Sequence, residues 1–218
     1  SLNKLDYKNL KSFVVDNGSN DGSIDFIKKE KFDNLTIIKN SENLGYSRGF
    51  NRGINEAIKC KPDYLLIHNN DIIFDSQALN ALVKQAELDP NIGFTTGKVY
   101  YYYDPKILQT VGRESDKFLI AGDFIGDGEE DLGQYDEVKQ YPFCDDVFLL
   151  VRKEVIDEVG GYDNDFFFMY EITDWCYRVT NKGYKIYYTP SAKIWHKISR
   201  STGGRKTPIN KYYINLSQ

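Results

Sequence analysis

The sequence VVDNGSNDGS at residues 14–23 marks the end of a strand and the start of a helix. Its apolar beginning belongs to a β-branched run at 11–15, KSFVV, and the Asp, Asn, Gly and Ser residues that follow are typical of turns and helix caps. Ile24 and Ile27 then recur at helical spacing before a second β-branched run, LTIIK at 35–39. This order predicts a βαβ unit.

The same alternation continues as far as residue 90. Apolar residues at helical spacing follow the loop 40–45, and they recur after Asp75 and Ser76, either of which can cap a helix. A further strand at 64–68 lies between these two predicted helices. Repeated strand and helix pairs predict a doubly wound α/β sheet, with ligand-binding loops at the carboxyl ends of its strands.

The second half of the chain is less regular. Strands are predicted at 92–96, 98–103, 148–151, 185–189 and 192–194, and helices at 153–159 and 171–181. The Gly-rich, acidic stretch 112–140 is predicted to be a loop or hairpin that crosses a site. Because no repeat or linker interrupts the chain, we predict one domain over residues 1–218.

Composition excludes several classes of function. The 218 residues include 28 basic and 32 acidic side chains, and this net charge of −4 argues against a nucleic acid partner. The cysteines Cys60, Cys144 and Cys176 lack C-x-x-C spacing, so neither a disulfide framework nor a thiolate zinc site is indicated. A reducing, cytoplasmic compartment fits this pattern, and no apolar run approaches the ~20 residues of a membrane span.

Two polar clusters in the first half could contact a nucleotide. Asp16 lies at a strand end, where its carboxylate could accept hydrogen bonds from a nucleotide, although Asp and Asn in this pattern also form capped turns. In NLGYSRGFNRGI at 43–54, the glycines permit close backbone approach, and Arg48 or Arg52 could face a diphosphate. Arginines on a solvated helix face are the simpler interpretation.

Carboxylates and a histidine indicate further chemistry. Asp71 ends the strand-end sequence NND and could bind Mg²⁺ or Mn²⁺, or could simply cap a turn. Glu171, Asp174 and Arg178 share one helix face, where a carboxylate could deprotonate a hydroxyl group, although the helix dipole also favours acidic first turns. His196 could complete a metal shell, and the Ser, Thr and Gly residues of 199–204 could bind phosphate.

The order of these motifs resembles that of the family 2 glycosyltransferases, especially the rhamnosyltransferase-like branch. The resemblance covers nearly the whole chain and rests on VVDNGSNDGS, NLGYSRGFNRGI, LLIHNND, FLLVRKEVIDEVGGYD, ITDWCYR and IWHKISRSTGG. It implies a GT-A fold: an α/β architecture with a mixed, mostly parallel sheet flanked by helices and a Rossmann-like first half. Residues 1–97 would then bind the nucleotide and residues 98–218 the acceptor.

The resemblance also implies an activity and its residues. The reaction would be inverting transfer from a UDP- or dTDP-sugar to a hydroxyl group of a glycan or lipid-linked acceptor, assisted by Mg²⁺ or Mn²⁺. Asp16 would contact the base. Asp71 and His196 would reach the metal. The remaining residues expected to bind the nucleotide-sugar are Asn43, Gly45, Arg48, Asn51 and Asn70.

The acidic helix departs from the family pattern. Family members usually read E-D-x-D with the second residue as general base, whereas this chain has Glu171, Ile172, Thr173 and Asp174. Because Ile172 cannot accept a proton, we expect Glu171 to serve, with Asp174 and the pair at 145–146 as alternatives. A non-catalytic module that binds sugar nucleotides or glycans remains the second hypothesis.

The start of the chain departs from the family as well. Family members have an apolar strand, a nucleotide-binding loop and a helix before the segment that matches residues 1–9. We therefore expect a truncated domain with unpaired strand edges, which would favour association into homo-oligomers or aggregation. A lipid-linked acceptor would place the sugar transfer at the inner face of the membrane.

A nucleotidyltransferase is a third hypothesis, because it shares the βαβ pattern, but it lacks the acidic-helix and histidine motifs of the second half.

Overall fold

The computed structural model describes residues 2–30, 32, 34–116 and 120–198, and the site is built on their strands and helices. In chain order these are β1 (Ser12–Asp16), α1 (Ser23–Lys29), β2 (Leu35–Lys39), α2 (Tyr46–Ala57), β3 (Tyr64–His68), β4 (Ile72–Phe74), α3 (Ala78–Ala86), β5 (Ile92–Tyr101), β6 (Asp104–Thr110), β7 (Arg113–Asp116), β8 (Ile120–Phe124), β9 (Lys139–Tyr141), β10 (Phe148–Arg152), α4 (Lys153–Val159), α5 (Glu171–Asn181) and β11 (Lys185–His196). The predicted βαβ unit is present, since β1 and β2 pair in parallel.

The largest sheet has seven strands in the order β3-β10-β5-β11-β4, with β6 beside β5 and β9 beside β11. Among the described strands, β1–β2 and β5–β11 are parallel and the other pairs antiparallel, so the sheet is mixed as expected but not mostly parallel. β10 causes much of this difference. It begins at the site edge, where Phe148 lies opposite His68, and therefore runs against β3 and β5.

Two predicted strand breaks do not occur. β5 continues through Gly97, and a glycine is required there because a Cβ would lie 2.1 Å from the backbone oxygen of Ala192 on β11. β11 is likewise one strand, and its register against β5 shifts between Thr189 and Lys193. The excursion predicted at 112–140 contains the hairpin β7–β8 and the short strand β9.

Helices pack on both faces of the large sheet. On one face, Trp175 and Val179 of α5 and Ile54 of α2 bury themselves against Phe94 and Leu149. On the other, α3 packs Leu79 and Leu82 against the sheet. Full burial of side chains such as Trp175 and Leu82 stabilises each by roughly 2 kcal/mol or more. Both cores hold the strand ends at one edge, where the polar loops lie. Among the described helices, none is long and apolar enough to cross a bilayer.

A cavity of about 660 Å³ separates β1 from β3. Within the described residues, β1 pairs only with β2, and β3 only with β10, so each strand has an edge that lacks a strand partner. The cavity walls include Phe13, Leu66, Phe50 and Ile54. Open strand edges are thus present as expected, and the homo-oligomer expected from them stays a prediction.

Candidate functional site

Asn17, in the loop after β1, hydrogen bonds to the loop after β2. Its amide nitrogen donates to the Asn43 side-chain oxygen and the Gly45 carbonyl, each at 2.9 Å. Its side-chain oxygen accepts from the Asn40 amide group and the Leu44 backbone N–H, each at 3.1 Å. Sequence reasoning did not single out Asn17, although its place directly after a strand in a turn-forming sequence was the available signal.

Asp16 forms a turn in the structure. Its buried carboxylate accepts the backbone N–H of Ser19 at 2.9 Å, which is the capped-turn alternative. Gly18 makes this turn possible: its φ is +80°, and a Cβ there would lie 2.7 Å from the backbone carbon of Glu42. A contact between Asp16 and a nucleotide base stays a prediction.

The loop before α2 docks on the segment that leads to α5. Gly45 has φ +82°, and a Cβ at this position would lie 2.7 Å from the Phe167 carbonyl oxygen. That oxygen accepts the Tyr46 backbone N–H at 2.6 Å. Only a glycine permits so close an approach in this backbone conformation.

Arg48 and Asn51 lie on the first turns of α2 and contact the same segment. The Asn51 amide donates to the Tyr162 carbonyl and the Asn164 side-chain oxygen, each at 2.8 Å, and its oxygen accepts the Tyr162 N–H at 3.1 Å. Arg48 donates to the Asn164 carbonyl at 3.1 Å. Both residues therefore hold the segment after α4 in place, and their contact with a nucleotide stays a prediction.

Asp71 and His196 lie side by side, although they are far apart in the chain. His196 Nε2 is 3.1 Å from Asp71 Oδ1, and His196 Nδ1 is 2.8 Å from the Gln109 side-chain oxygen. Because the Gln109 side-chain oxygen can only accept, this bond assigns the ring proton to Nδ1 and leaves Nε2 without a proton beside the Asp71 carboxylate. Sequence reasoning missed Gln109, which nothing in its local pattern distinguishes.

This pair has the properties of a cation site. His196 is buried, and its Nε2 lies 3.1 Å from Asp71 Oδ1 without the alignment of a hydrogen bond. Among the described residues no third His, Cys, Asp or Glu joins the pair. Asn70 beside it is exposed.

Three carboxyl groups form a second cluster, in which Asp146 and Glu171 are buried and Asp145 is half-buried. Asp145 and Asp146 precede β10, and Glu171 is the first residue of α5. Burial, reinforced by the charges of Asp145 and Glu171, raises the pKa of Asp146. Burial, again reinforced by Asp145, raises the pKa of Glu171 to about 7. Glu171 Oε2 is buried and has no hydrogen-bond partner among the described residues, which suits a proton acceptor.

Asp174 has a different environment. Its carboxylate accepts from Arg178 at 2.7 Å, and Arg178 also donates to the carbonyls of Val159 at 3.0 Å and Gly161 at 2.9 Å. The two carboxyl groups of the predicted polar face of α5 therefore differ, because Glu171 is buried and Asp174 forms an ion pair with Arg178. Ile172 packs in the core, as the predicted apolar stripe requires.

The two clusters meet beside Asn69. The Asn69 backbone N–H donates to the Val147 carbonyl at 3.2 Å, which joins the Asp71 loop to the segment that carries Asp146. The structure therefore brings Asn43, Gly45, Asp71, His196 and Glu171 to one edge of the fold. The phosphate-binding stretch proposed at 199–204 lies outside the described residues.

Comparison with known proteins gives a family match and two kinds of relative. A model described as Glycosyl transferase family 2 matches residues 1–160. Poly-β-1,6-N-acetyl-D-glucosamine synthase of Staphylococcus aureus is 25% identical over 201 residues, which are 92% of this chain and 46% of the synthase. N-acetylglucosaminyl-diphospho-decaprenol L-rhamnosyltransferase of Mycobacterium tuberculosis is 24% identical, over 93% of this chain and 71% of that protein. The chain thus spans about half the length of the synthase.

Solved structures show the same fold. The mannosyltransferase PcManGT from Pyrobaculum calidifontis, in complex with GDP-Man and Mn²⁺, superposes with a TM-score of 0.63 at 16% identity and covers 92% of this chain and 52% of that one. GalNAc-T7 with UDP, GalNAc and Mn²⁺ gives a TM-score of 0.67 at 15% identity, over 85% of this chain and 37% of that one. These likenesses confirm the predicted GT-A fold.

Proposed function

The chain belongs to glycosyl transferase family 2. We propose that it is a glycosyltransferase, and that it transfers a sugar from a UDP- or dTDP-sugar to a hydroxyl group of a glycan or lipid-linked acceptor, with inversion. Two observations carry this proposal: the buried His196 Nε2 lies 3.1 Å from Asp71 Oδ1, and the buried Glu171 Oε2 has no hydrogen-bond partner among the described residues. Asp71 and His196 would bind the counter-ion of a diphosphate, and Glu171 would accept a proton.

The donor would lie along the first half of the chain, residues 1–97. Asp16 and the loop held by Asn17 would bind the base and ribose, with Asn43 and Gly45 shaping the pocket. Asn70 would contact the diphosphate beside Asp71. We assign Arg48 and Asn51 to the support of this pocket through the segment 162–164, which is where their hydrogen bonds lead.

Asp71 and His196 would hold Mn²⁺ or Mg²⁺. Carboxylate and imidazole are both metal ligands, and a 3.1 Å separation without an aligned hydrogen bond leaves both atoms able to bind the same cation. Gln109 would keep His196 in the ligating tautomer. A bound cation supplies positive charge to the departing diphosphate.

Glu171 would accept the proton of the acceptor hydroxyl group. As the acceptor oxygen bonds to the anomeric carbon, the bond from that carbon to the diphosphate breaks, the nucleoside diphosphate leaves, and the proton goes to Glu171. A pKa of about 7 suits this role at neutral pH. Asp174 is less suited, because Arg178 already neutralises it.

The acceptor would bind to the second half, residues 98–218. The mycobacterial relative is named for a diphospho-decaprenol substrate, which supports a lipid-linked acceptor and activity at the cytoplasmic face of a membrane. The net charge of −4 gives no support to a nucleic acid partner.

The test combines ligand binding with turnover. UDP-, dTDP- and GDP-sugars are added to the full chain with Mn²⁺, and the melting temperature is measured for the unmodified protein, Asp71→Asn and the control Asp25→Asn, whose carboxylate is exposed on α1. At a hundred times its dissociation constant a donor stabilises by about 2.7 kcal/mol, which is a shift of roughly 5–10 °C.

We expect a UDP- or dTDP-sugar to raise the melting temperature of the unmodified protein and of Asp25→Asn, but not that of Asp71→Asn. We also expect nucleoside diphosphate to be released when a lipid-linked acceptor is added. If no sugar nucleotide shifts the melting temperature, the proposal fails. If donors bind but are not turned over by any acceptor, the second candidate, a binding module, is correct, as the isoleucine at position 172 would favour.

A further inference from the structure

Two adjacent tyrosines, Tyr102 and Tyr103, form the tip of the hairpin between β5 and β6. Tyr101 lies opposite Asp104 in this hairpin, so the two tyrosines alone make the turn. Two-residue turns favour Asn, Asp and Gly, which adopt the turn conformation readily, and tyrosine brings no such advantage. The requirements of the turn therefore do not explain the two aromatic side chains.

This hairpin tip lies directly beside the proposed cation site. Tyr101 is opposite His196 in the register of β5 with β11, and the next backbone N–H, that of Tyr102, donates to the His196 carbonyl at 2.9 Å. Lys197 follows His196, and its backbone N–H donates to the Asp71 carbonyl at 2.9 Å. The Lys197 ammonium group lies over the Tyr102 ring, 5.0 Å from its centre. Tyr102 is therefore attached to the strand that carries His196 and packs against the residue bonded to Asp71.

Tyr103 presents its ring to solvent, and Tyr102 supports it. Tyr103 is 70% exposed and Tyr102 is 40% exposed. The two rings meet edge to face, with centroids 5.2 Å apart and an angle of 87° between their planes. A tyrosine side chain has few rotatable bonds, so a ring that already rests on a neighbour loses little entropy when a ligand covers it. An exposed pair of aromatic rings beside a site is typical of a ligand-binding surface.

The chemistry of this surface fits a sugar ring. The C–H groups on one face of a pyranose form an apolar patch of partial positive charge, and the face of an aromatic ring is negative. The hydroxyl groups of the sugar need hydrogen-bond partners, and the exposed Asp104 follows Tyr103 directly in the chain. A hydrocarbon chain fits less well, because Asp104, Lys197 and the tyrosine hydroxyl groups would lose water without gaining a partner.

We propose that Tyr103, supported by Tyr102, stacks on a sugar ring of the acceptor, so that the protein selects an acceptor that already carries a sugar. The inference rests on the proposed function, because the donor site at Asp71 and His196 is what makes a sugar bound at this tip an acceptor. Tyr103 belongs to the acceptor side of the site and does not contact the nucleotide. Its loss therefore weakens the binding of sugars and leaves the binding of the donor unchanged.

The experiment measures sugar binding on the full chain by saturation-transfer difference NMR, which detects the protons of the small ligand. The probes are cellotetraose, maltotetraose and chitotetraose, with farnesyl diphosphate as a lipid probe without sugar, each at up to about 20 mM. The variants are Tyr103→Ala and Tyr103→Phe, and the control is Tyr177→Ala, which removes an exposed tyrosine from α5. The melting temperature of each protein, with and without sugar nucleotide and Mn²⁺, reports on folding and on the donor site.

We expect at least one tetrasaccharide to bind, with the strongest saturation on the ring C–H protons of one pyranose. Tyr103→Ala should weaken this binding by about 5–30-fold. Tyr103→Phe keeps the aromatic ring and Tyr177→Ala leaves the hairpin unchanged, so both should stay within about threefold of the unmodified protein. The donor-induced rise in melting temperature should be the same in all four proteins.

Absence of tetrasaccharide binding, or binding that Tyr103→Ala leaves unchanged, overturns the inference. Binding of farnesyl diphosphate that depends on Tyr103, without binding of any tetrasaccharide, also overturns it and assigns the surface to a lipid. If sugar nucleotides raise the melting temperature but no tetrasaccharide binds, the inference alone fails. If a tetrasaccharide binds through Tyr103 but no sugar nucleotide raises the melting temperature, the proposed function fails and the sugar-binding surface stands.

Discussion

Replacement of Glu171 by glutamine should stabilise the protein at the pH where the residue is needed as a base. The side chain is 5% exposed, and burial raises its pKa from the ordinary value of 4.5 to about 7. A raised carboxyl pKa means that ionisation destabilises the folded state relative to the unfolded state. This cost is absent below pH 4.5, grows through pH 7, and is constant above it.

The magnitude follows from the two pKa values. At about 1.4 kcal/mol per pH unit, a rise from 4.5 to about 7 corresponds to about 3 kcal/mol of lost stability at pH 8. Glutamine avoids this cost, and its amide, like the protonated acid, places a donor among neighbouring carboxylates. We expect Glu171→Gln to gain roughly 2–3 kcal/mol at pH 8, or about 4–10 °C, and almost nothing at pH 4.5.

Urea unfolding of both proteins at pH 4.5, 6 and 8 measures the gain, and Glu154→Gln, on an exposed position of α4, is the control. The same variant should lose sugar transfer by about 10²–10⁴-fold, because an amide at position 171 cannot accept the proton of the acceptor hydroxyl group. A Glu171→Gln protein that is no more stable than the unmodified one at pH 8, or whose gain does not change with pH, would refute the reasoning.

Two further substitutions test the scaffold of the site. Gly45→Ala should destabilise by about 2–4 kcal/mol and abolish donor-induced stabilisation, because its Cβ would meet the Phe167 carbonyl at 2.7 Å. Gly22→Ala has a similar φ of +83° but nothing within 4 Å, so its cost in urea unfolding should stay near 1 kcal/mol. Ile172→Asp should lower the free energy of unfolding by about 3 kcal/mol and should not increase sugar transfer, because the side chain packs in the same core as Trp175. The control Ile172→Val should cost about 1 kcal/mol. An increase in sugar transfer by Ile172→Asp would contradict this prediction.

Local pattern predicted those parts of the fold that local physics determines. β1, β2, β3 and α2 were predicted closely, because their β-branched runs, turn formers and helical apolar spacing agree with the final structure. β10 was predicted as a strand, but its place between β3 and β5 was not. That pairing depends on where the excursion returns to the sheet, and no pattern in the sequence records it.

The residues of the site also fall into two groups, those that the sequence pattern indicates and those whose role depends on the fold. The residue types at Asp71, Glu171 and His196 were visible, because carboxylates and imidazole stand out at strand ends and in first helical turns. Gln109 and Asn17 were missed, since an amide gains its role only from the partner that the fold brings to it. Resemblance to a family could indicate that Asp71 and His196 act together, but the 3.1 Å contact required the folded chain.

Unsatisfied polar atoms locate the site independently of any motif. Among the described residues, the buried side-chain atoms without a hydrogen-bond partner are Ser47 Oγ, Glu171 Oε2, Thr189 Oγ1 and His196 Nε2. Each such atom lowers the stability of the folded protein by about 1–3 kcal/mol, and the needs of folding do not explain why it is present. Two of the four atoms belong to titratable groups, Glu171 and His196. A ligand that gives His196 a cation and Glu171 a hydroxyl partner would remove both costs, so the same groups that weaken the free protein would bind its substrates.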